Sequence, residues 1–139
     1  MRLALDTDVL VAAVRSRRGA SRAWIRAILT REATLLLSVP LALQYEAVLM
    51  RPEHLAASGA SVAQVTALLD ALCAVCSPIE ISFLWRPMPR DADDEMVLEV
   101  AANGRADRLL TFNERDFAGA ERLGVIERPG PAWRSWRKG

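Results

Sequence analysis

Three aspartates stand far apart in this chain, each where an apolar run ends or a helix begins. Asp6 closes the run Leu3-Ala4-Leu5, Asp94 opens the helix-like stretch Glu95 to Asn103, and Asp116 follows Leu109-Leu110-Thr111 by a few residues. In an open parallel sheet the carboxyl ends of the strands converge at one edge, where ligands bind. Carboxylates gathered there repel one another unless a cation offsets their charge. An all-oxygen donor set of this kind favours a hard divalent ion, Mg²⁺ or Mn²⁺.

The elements that must position these acids are legible as short apolar runs alternating with helical patterns. Strands are expected over Arg2 to Leu5, Thr34 to Val39, Ile79 to Phe83, Arg108 to Thr111 and Gly124 to Glu127. Between them, Val9 to Val14 reads as a short helix, and a helix capped by Ser21 runs to about Arg31. Pro40 suits the first turn of a helix that carries Leu41, Tyr45, Val48 and Leu49 on one side and ends near Arg51-Pro52. Val62 to Val75 has helical spacing and stops at Ser77-Pro78. The stretch Trp85 to Arg90 is a Pro-rich loop, and a helix follows from Asp91 to the stop at Asn103-Gly104. This alternation argues an α/β fold with a largely parallel sheet. Its 139 residues suit one domain, 1–139, of which 128–139 read as a C-terminal tail.

Composition bounds the function classes. The net charge of +1 provides no overall basic field of the kind that announces nucleic acid by itself. Met1-Arg2 leads straight into a strand-like run, with no apolar leader segment, and no apolar run approaches the ~18 residues needed to span a bilayer. A soluble, cytoplasmic protein with no membrane role is expected. Cys73 and Cys76 form a C-x-x-C, but late in a helical pattern rather than at a helix start, and His54 is the only histidine. Core cysteines are expected there, not a redox pair or a zinc site.

The segment Leu3-Ala4-Leu5-Asp6-Thr7-Asp8-Val9-Leu10-Val11 resembles the opening of PIN-domain proteins, an apolar strand followed by Asp-Thr-Asn and an apolar helix. The block from Pro89 to Ala101 resembles their third acidic motif. Arg105 to Phe117, with an alanine-aspartate turn, a strand, Thr111 and then acids, resembles the fourth. The closest resemblance is to the subgroup of toxin components of toxin–antitoxin modules. It implies a three-layer α/β/α nuclease that cuts RNA with Mg²⁺ or Mn²⁺. It also implies metal ligation by Asp6, Asp94 and Asp116, a small antitoxin protein as partner, and a homodimer.

The chain departs from that pattern in places. Asp8 stands where the family usually has Asn, and Asn113 where relatives often have Asp. In the helix after the second strand many relatives read Glu-Tyr-x-x-Val-Leu; this chain reads Gln44-Tyr45-Glu46-Ala47-Val48-Leu49. Residues two apart point about 200° apart on a helix, so Gln44 and Glu46 cannot face one site equally. Glu46 is retained as the fourth catalytic acid and Gln44 as its alternative. Asp8, Asp91, Thr111 and Asn113 are supporting candidates. Arg15, Arg17 and Arg18, a short helix beyond Asp6, are candidates for RNA contact. Trp133 and Trp136 either stack bases or pack the tail onto its own domain.

Simpler roles exist for each acid: Asp6 as a helix cap, and Asp91, Asp93 and Asp94 as favourable charges at a helix start. A receiver-type signalling domain also gathers acids at strand ends, but it needs a lysine late in the fold. The single lysine, Lys138, lies in the tail.

Overall fold

A computed structural model describes residues 1–82 and 92–138. Its elements in chain order are β1 (Arg2–Leu5), α1 (Thr7–Arg15), α2 (Ala20–Leu29), β2 (Thr34–Leu37), α3 (Val39–Leu49), α4 (Pro52–Ser58) and α5 (Val62–Val75). There follow β3 (Ser77–Pro78), α6 (Ala92–Gly104), β4 (Arg108–Leu110), β5 (Val125–Glu127) and α7 (Pro129–Lys138). The strands form one parallel sheet in the order β3-β2-β1-β4-β5. Helices pack on it in a three-layer α/β/α arrangement, as the family resemblance implies. Among the described residues, no single helix is long and apolar enough to cross a membrane.

The strand order explains where a site can form. The chain winds outward from β1 through β2 to β3, then returns to the other side of β1 as β4. The order reverses between β1 and β4, and such switch points open a crevice at the carboxyl ends of the strands. Both central strands are buried apolar runs. Leu3, Ala4 and Leu5 are buried, as are Leu109 and Leu110, paired Leu3 with Arg108, Ala4 with Leu109 and Leu5 with Leu110. A central parallel strand is covered on both faces, which is why these runs do not alternate with polar residues.

Several elements differ from expectation. The third strand lies at Ser77–Pro78, where a helix stop was expected, and Ile79 adds one more bond to Leu37 O at 2.9 Å. Pro78 lacks an N–H and is tolerated because β3 is an edge strand. Phe83 and the Pro-rich stretch 85–90 lie outside the described residues. Helix α6 extends through Gly104, and the left-handed residue after it is Arg105 at φ 53°. Gly104 is needed for a different reason. A Cβ there would come within 2.8 Å of Leu36 Cδ1, so glycine lets α6 lie close on β2.

The segment read as a tail forms the helix α7. Its prolines occupy the first turn, where a missing N–H is harmless. Trp24 of α2, fully buried, donates its indole N–H to Pro129 O at 3.0 Å. Its ring meets Trp133 edge-on at 5.1 Å and Trp136 in a stack at 5.0 Å. Arg137 lies over Trp133 and Trp136 at 4.8 and 5.1 Å. The tryptophans of the last segment therefore close the domain upon itself. Because Trp24 is the shared partner, Trp24→Ala is expected to cost about 3–5 kcal/mol in urea unfolding and to expose Trp133 and Trp136 to fluorescence quenchers. A loss under about 1 kcal/mol would show that α7 does not depend on this cluster.

Candidate active site

Asp6 is the first residue past β1, and the pairing with β4 carries on beyond it. Its N–H donates to Leu110 O at 2.9 Å. The side chain caps α1: Oδ1 accepts from the Thr7 N–H at 2.8 Å, and Oδ2 accepts from the Thr111 hydroxyl at 2.7 Å. The capping role and the place at the strand end thus coincide. Asp6 is only 7% exposed and Thr111 is fully buried. Two donors fix the carboxylate in rotation, which pre-orients a ligand group. Thr111 Oγ1 in turn accepts from the Asn113 N–H at 2.9 Å, tying the loop after β4 to the same point.

Tyr45 supports this arrangement from α3. Its hydroxyl donates to Leu5 O at 2.6 Å. Burial, and after it the charge of Asp6, pushes the phenol well above its ordinary value, so Tyr45 acts as a neutral donor that pins the end of β1. Helix α3 starts cleanly for this purpose: Ser38 caps it by accepting from the Leu41 N–H, and Pro40 occupies the first turn.

Around Asp6 an open pocket of about 300 Å³ is lined by Asp6, Thr7, Asp8 and Val11 from the β1–α1 corner and by Val48 and Arg51 from the end of α3. His54 of α4, Asp94 of α6, and Asn113 and Asp116 beyond β4 complete the lining. The three aspartates picked from the sequence therefore share one cavity. Asp8 and Asn113 join them. Asp8 Oδ2 accepts from the Phe112 N–H at 3.1 Å and from the Asn113 amide at 3.0 Å. The two departures from the Asp-Thr-Asn pattern and its partner acid are thus hydrogen-bonded to each other.

Other candidates fall elsewhere. Glu46 is exposed and does not line the pocket. Taking Val48 as the pocket-facing residue of α3, Gln44 stands about 40° from it and Glu46 about 160° away. Neither Glu46 nor its alternative Gln44 lines the pocket; by helix rotation Gln44 lies nearer the Val48 side and Glu46 farther from it. Thr111 lies beneath the pocket, acting through Asp6. Arg15, Arg17 and Arg18 are exposed and do not line it, and Arg17 opens on a separate groove of about 340 Å³ beside α2 and α5. Asp91 lies outside the described residues. Arg51 and His54 were not singled out from the sequence. The signal was available in the spacing of Val48 and Arg51, one helical turn apart.

The chemistry of the donor set suits a hard cation. Thr7 Oγ1 and Asp8 Oδ1 are buried with no hydrogen-bond partner among the described residues, and unpartnered oxygens beside carboxylates are what such an ion or its water satisfies. Among the described residues, no three His, Cys, Asp or Glu side chains cluster tightly enough to grip one ion by themselves.

The same crowding acts on Asp8. Burial, and then the neighbouring Asp6 charge, raises its carboxyl from 3.8 to about 6. The folded protein therefore holds a proton that the unfolded chain releases, so stability falls as pH rises from about 4 through 6. Without divalent ions, the melting temperature of Asp8→Asn relative to wild type is expected to rise from pH 4 to pH 7. A difference independent of pH would contradict this electrostatic account.

No curated protein and no solved structure matches the chain. The family model described as PIN domain matches residues 2–115. That match spans β1 into the loop after β4, and so includes Asp6, Asp8 and Asp94 of the pocket and stops one residue before Asp116. Members of this family are generally nucleases, and the chain belongs to the PIN-domain family.

Proposed function

We propose that this protein is a Mg²⁺- or Mn²⁺-dependent endoribonuclease, acting in the cytoplasm as the toxin of a toxin–antitoxin pair and held in check by a small antitoxin protein. A homodimer is the proposed assembly. The observation that carries the catalytic part is the convergence of Asp6, Asp94 and Asp116, from three distant parts of the chain, on one pocket at the switch point of the sheet.

Asp6 and Asp94 would hold the cation, with Asp116 orienting a water at the rim. When bound, the ion lowers the pKa of a water and offsets charge on a phosphate. The chain's own groups do the rest. Thr111 and the Thr7 N–H hold Asp6 in one rotamer, Tyr45 fixes the strand end that carries it, and Asp8 ties α1 to the loop that presents Asp116.

A second reading, a weak or inactive PIN-like module that binds RNA or protein without cutting, is favoured by one feature. Helix α3 contributes Val48 but no acid to the pocket lining, and by rotation the amide Gln44 lies nearer that side than Glu46 does. Fewer carboxylates mean weaker hold on a cation.

Three variants separate these readings. Asp6→Asn is expected to abolish Mn²⁺-dependent RNA cleavage while leaving the circular dichroism spectrum unchanged; equal cleavage by variant and wild type would reject the nuclease reading. Thr111→Val is expected to weaken Mn²⁺ binding by roughly 10–100-fold, the usual effect of losing a group that orients a ligand. Gln44→Glu is expected to tighten Mn²⁺ in calorimetry and to raise cleavage. No gain in affinity would show that Gln44 does not face the ion.

A further inference from the structure

The pocket is not uniformly acidic. Asp6, Asp8, Asp94 and Asp116 contribute carboxylates, while Arg51 and His54 also line it from the junction of α3 and α4. Among the described lining residues these two are the only groups able to carry positive charge. They sit on rigid backbone. Arg51 O accepts from the His54 and Leu55 N–H groups, both at 3.0 Å, as α4 begins, with Pro52 in its first turn. Val48, one turn earlier on α3, places Arg51 on the side that faces the carboxylates.

Charge counting gives these residues a task. Four carboxylates line this pocket, and a phosphodiester brought beside them is favoured by positive charge or hydrogen-bond donors on the wall opposite. The basic groups Arg15, Arg17 and Arg18 do not line this pocket. Resting on the nuclease reading above, we propose that Arg51 and His54 form the phosphate-binding wall of this pocket, holding the backbone phosphate of a single-stranded RNA against the carboxylate side. A guanidinium offers paired donors suited to two phosphate oxygens. The imidazole offers a further donor one turn of α4 away.

The test uses a fluorescein-labelled single-stranded RNA with Mn²⁺ across a series of KCl concentrations. Anisotropy reports binding, steady-state cleavage reports KM and kcat, and calorimetry reports Mn²⁺ affinity. Arg51→Ala is expected to raise both the RNA Kd and KM about tenfold and to flatten the log Kd against log[KCl] slope by about 0.7. Mn²⁺ affinity is expected to stay level or rise. Arg51→Lys should retain the slope. His54→Gln, which keeps a donor, should cost less than His54→Ala.

Unchanged KM, Kd and salt slope in Arg51→Ala would overturn the assignment, as would a fall in its Mn²⁺ affinity, which would make Arg51 a support for the acids instead. RNA binding that depends on Arg51 without any cleavage by wild type would sink the nuclease reading and leave the phosphate wall standing. Cleavage indifferent to Arg51 would do the reverse, and the absence of RNA binding would remove both.

Discussion

The parallel pairing of β1 with β4 is the constraint on which the rest of this structure depends. It aligns Leu5 with Leu110, extends through the Asp6 N–H to Leu110 O, and delivers the Thr111 hydroxyl to Asp6 at 2.7 Å. A shift of one residue would turn every side chain of a strand to the opposite face and separate Asp6 from its donor. The buried hydrogen bond and the apolar strands are mutually reinforcing. The leucines fix the register, and the register places a carboxylate where the strand order reverses.

Burying carboxylates together is unfavourable, and the protein manages this with local bonds. Each oxygen of Asp6 accepts a hydrogen bond, and one oxygen of Asp8 accepts two. The strain that remains is visible at Asp8, whose carboxyl is raised to about 6 by burial and by Asp6. The contact between Asp8 and Asn113 also recasts what look like two separate losses. Against a pattern with Asn on α1 and Asp on the later loop, this chain has the acid and the amide exchanged, and the two are hydrogen-bonded to each other. The acidic character of the pocket is thereby retained on a different element. Helix α3 adds no acid to the pocket lining, since neither Gln44 nor the exposed Glu46 reaches it.

Much of the fold was legible because its strongest signals are local. Short buried runs bounded by Asp, Pro or Gly define β1, β2 and β4, and the acids at their ends follow from the chain alone. The parts that were not legible depend on tertiary contacts. Helix α7 begins Pro-Gly-Pro and lies in the segment read as a tail; it docks through Trp133 and Trp136 on Trp24. The short α4 lay hidden between Pro52 and Gly59, where its first-turn proline resembled a stop. Gly104 looked like a helix terminator, yet its small size serves the approach to Leu36, and Arg105 takes the left-handed conformation. In the site, Asp6, Asp94 and Asp116 carried a motif, whereas Arg51 and His54 carried none and emerge only from where α3 ends. The choice between Gln44 and Glu46 was not legible, because it rests on how α3 is rotated about its axis.

The central claim, that carboxylates from three distant segments form one cation site, is tested most directly by diffraction from crystals grown with Mn²⁺, using its anomalous signal to locate the ion. The account predicts an anomalous peak within the pocket lined by Asp6, Asp94 and Asp116, lost in Asp6→Asn. At saturating Mn²⁺, a pocket without such a peak, or a peak confined to other parts of the surface, would contradict it.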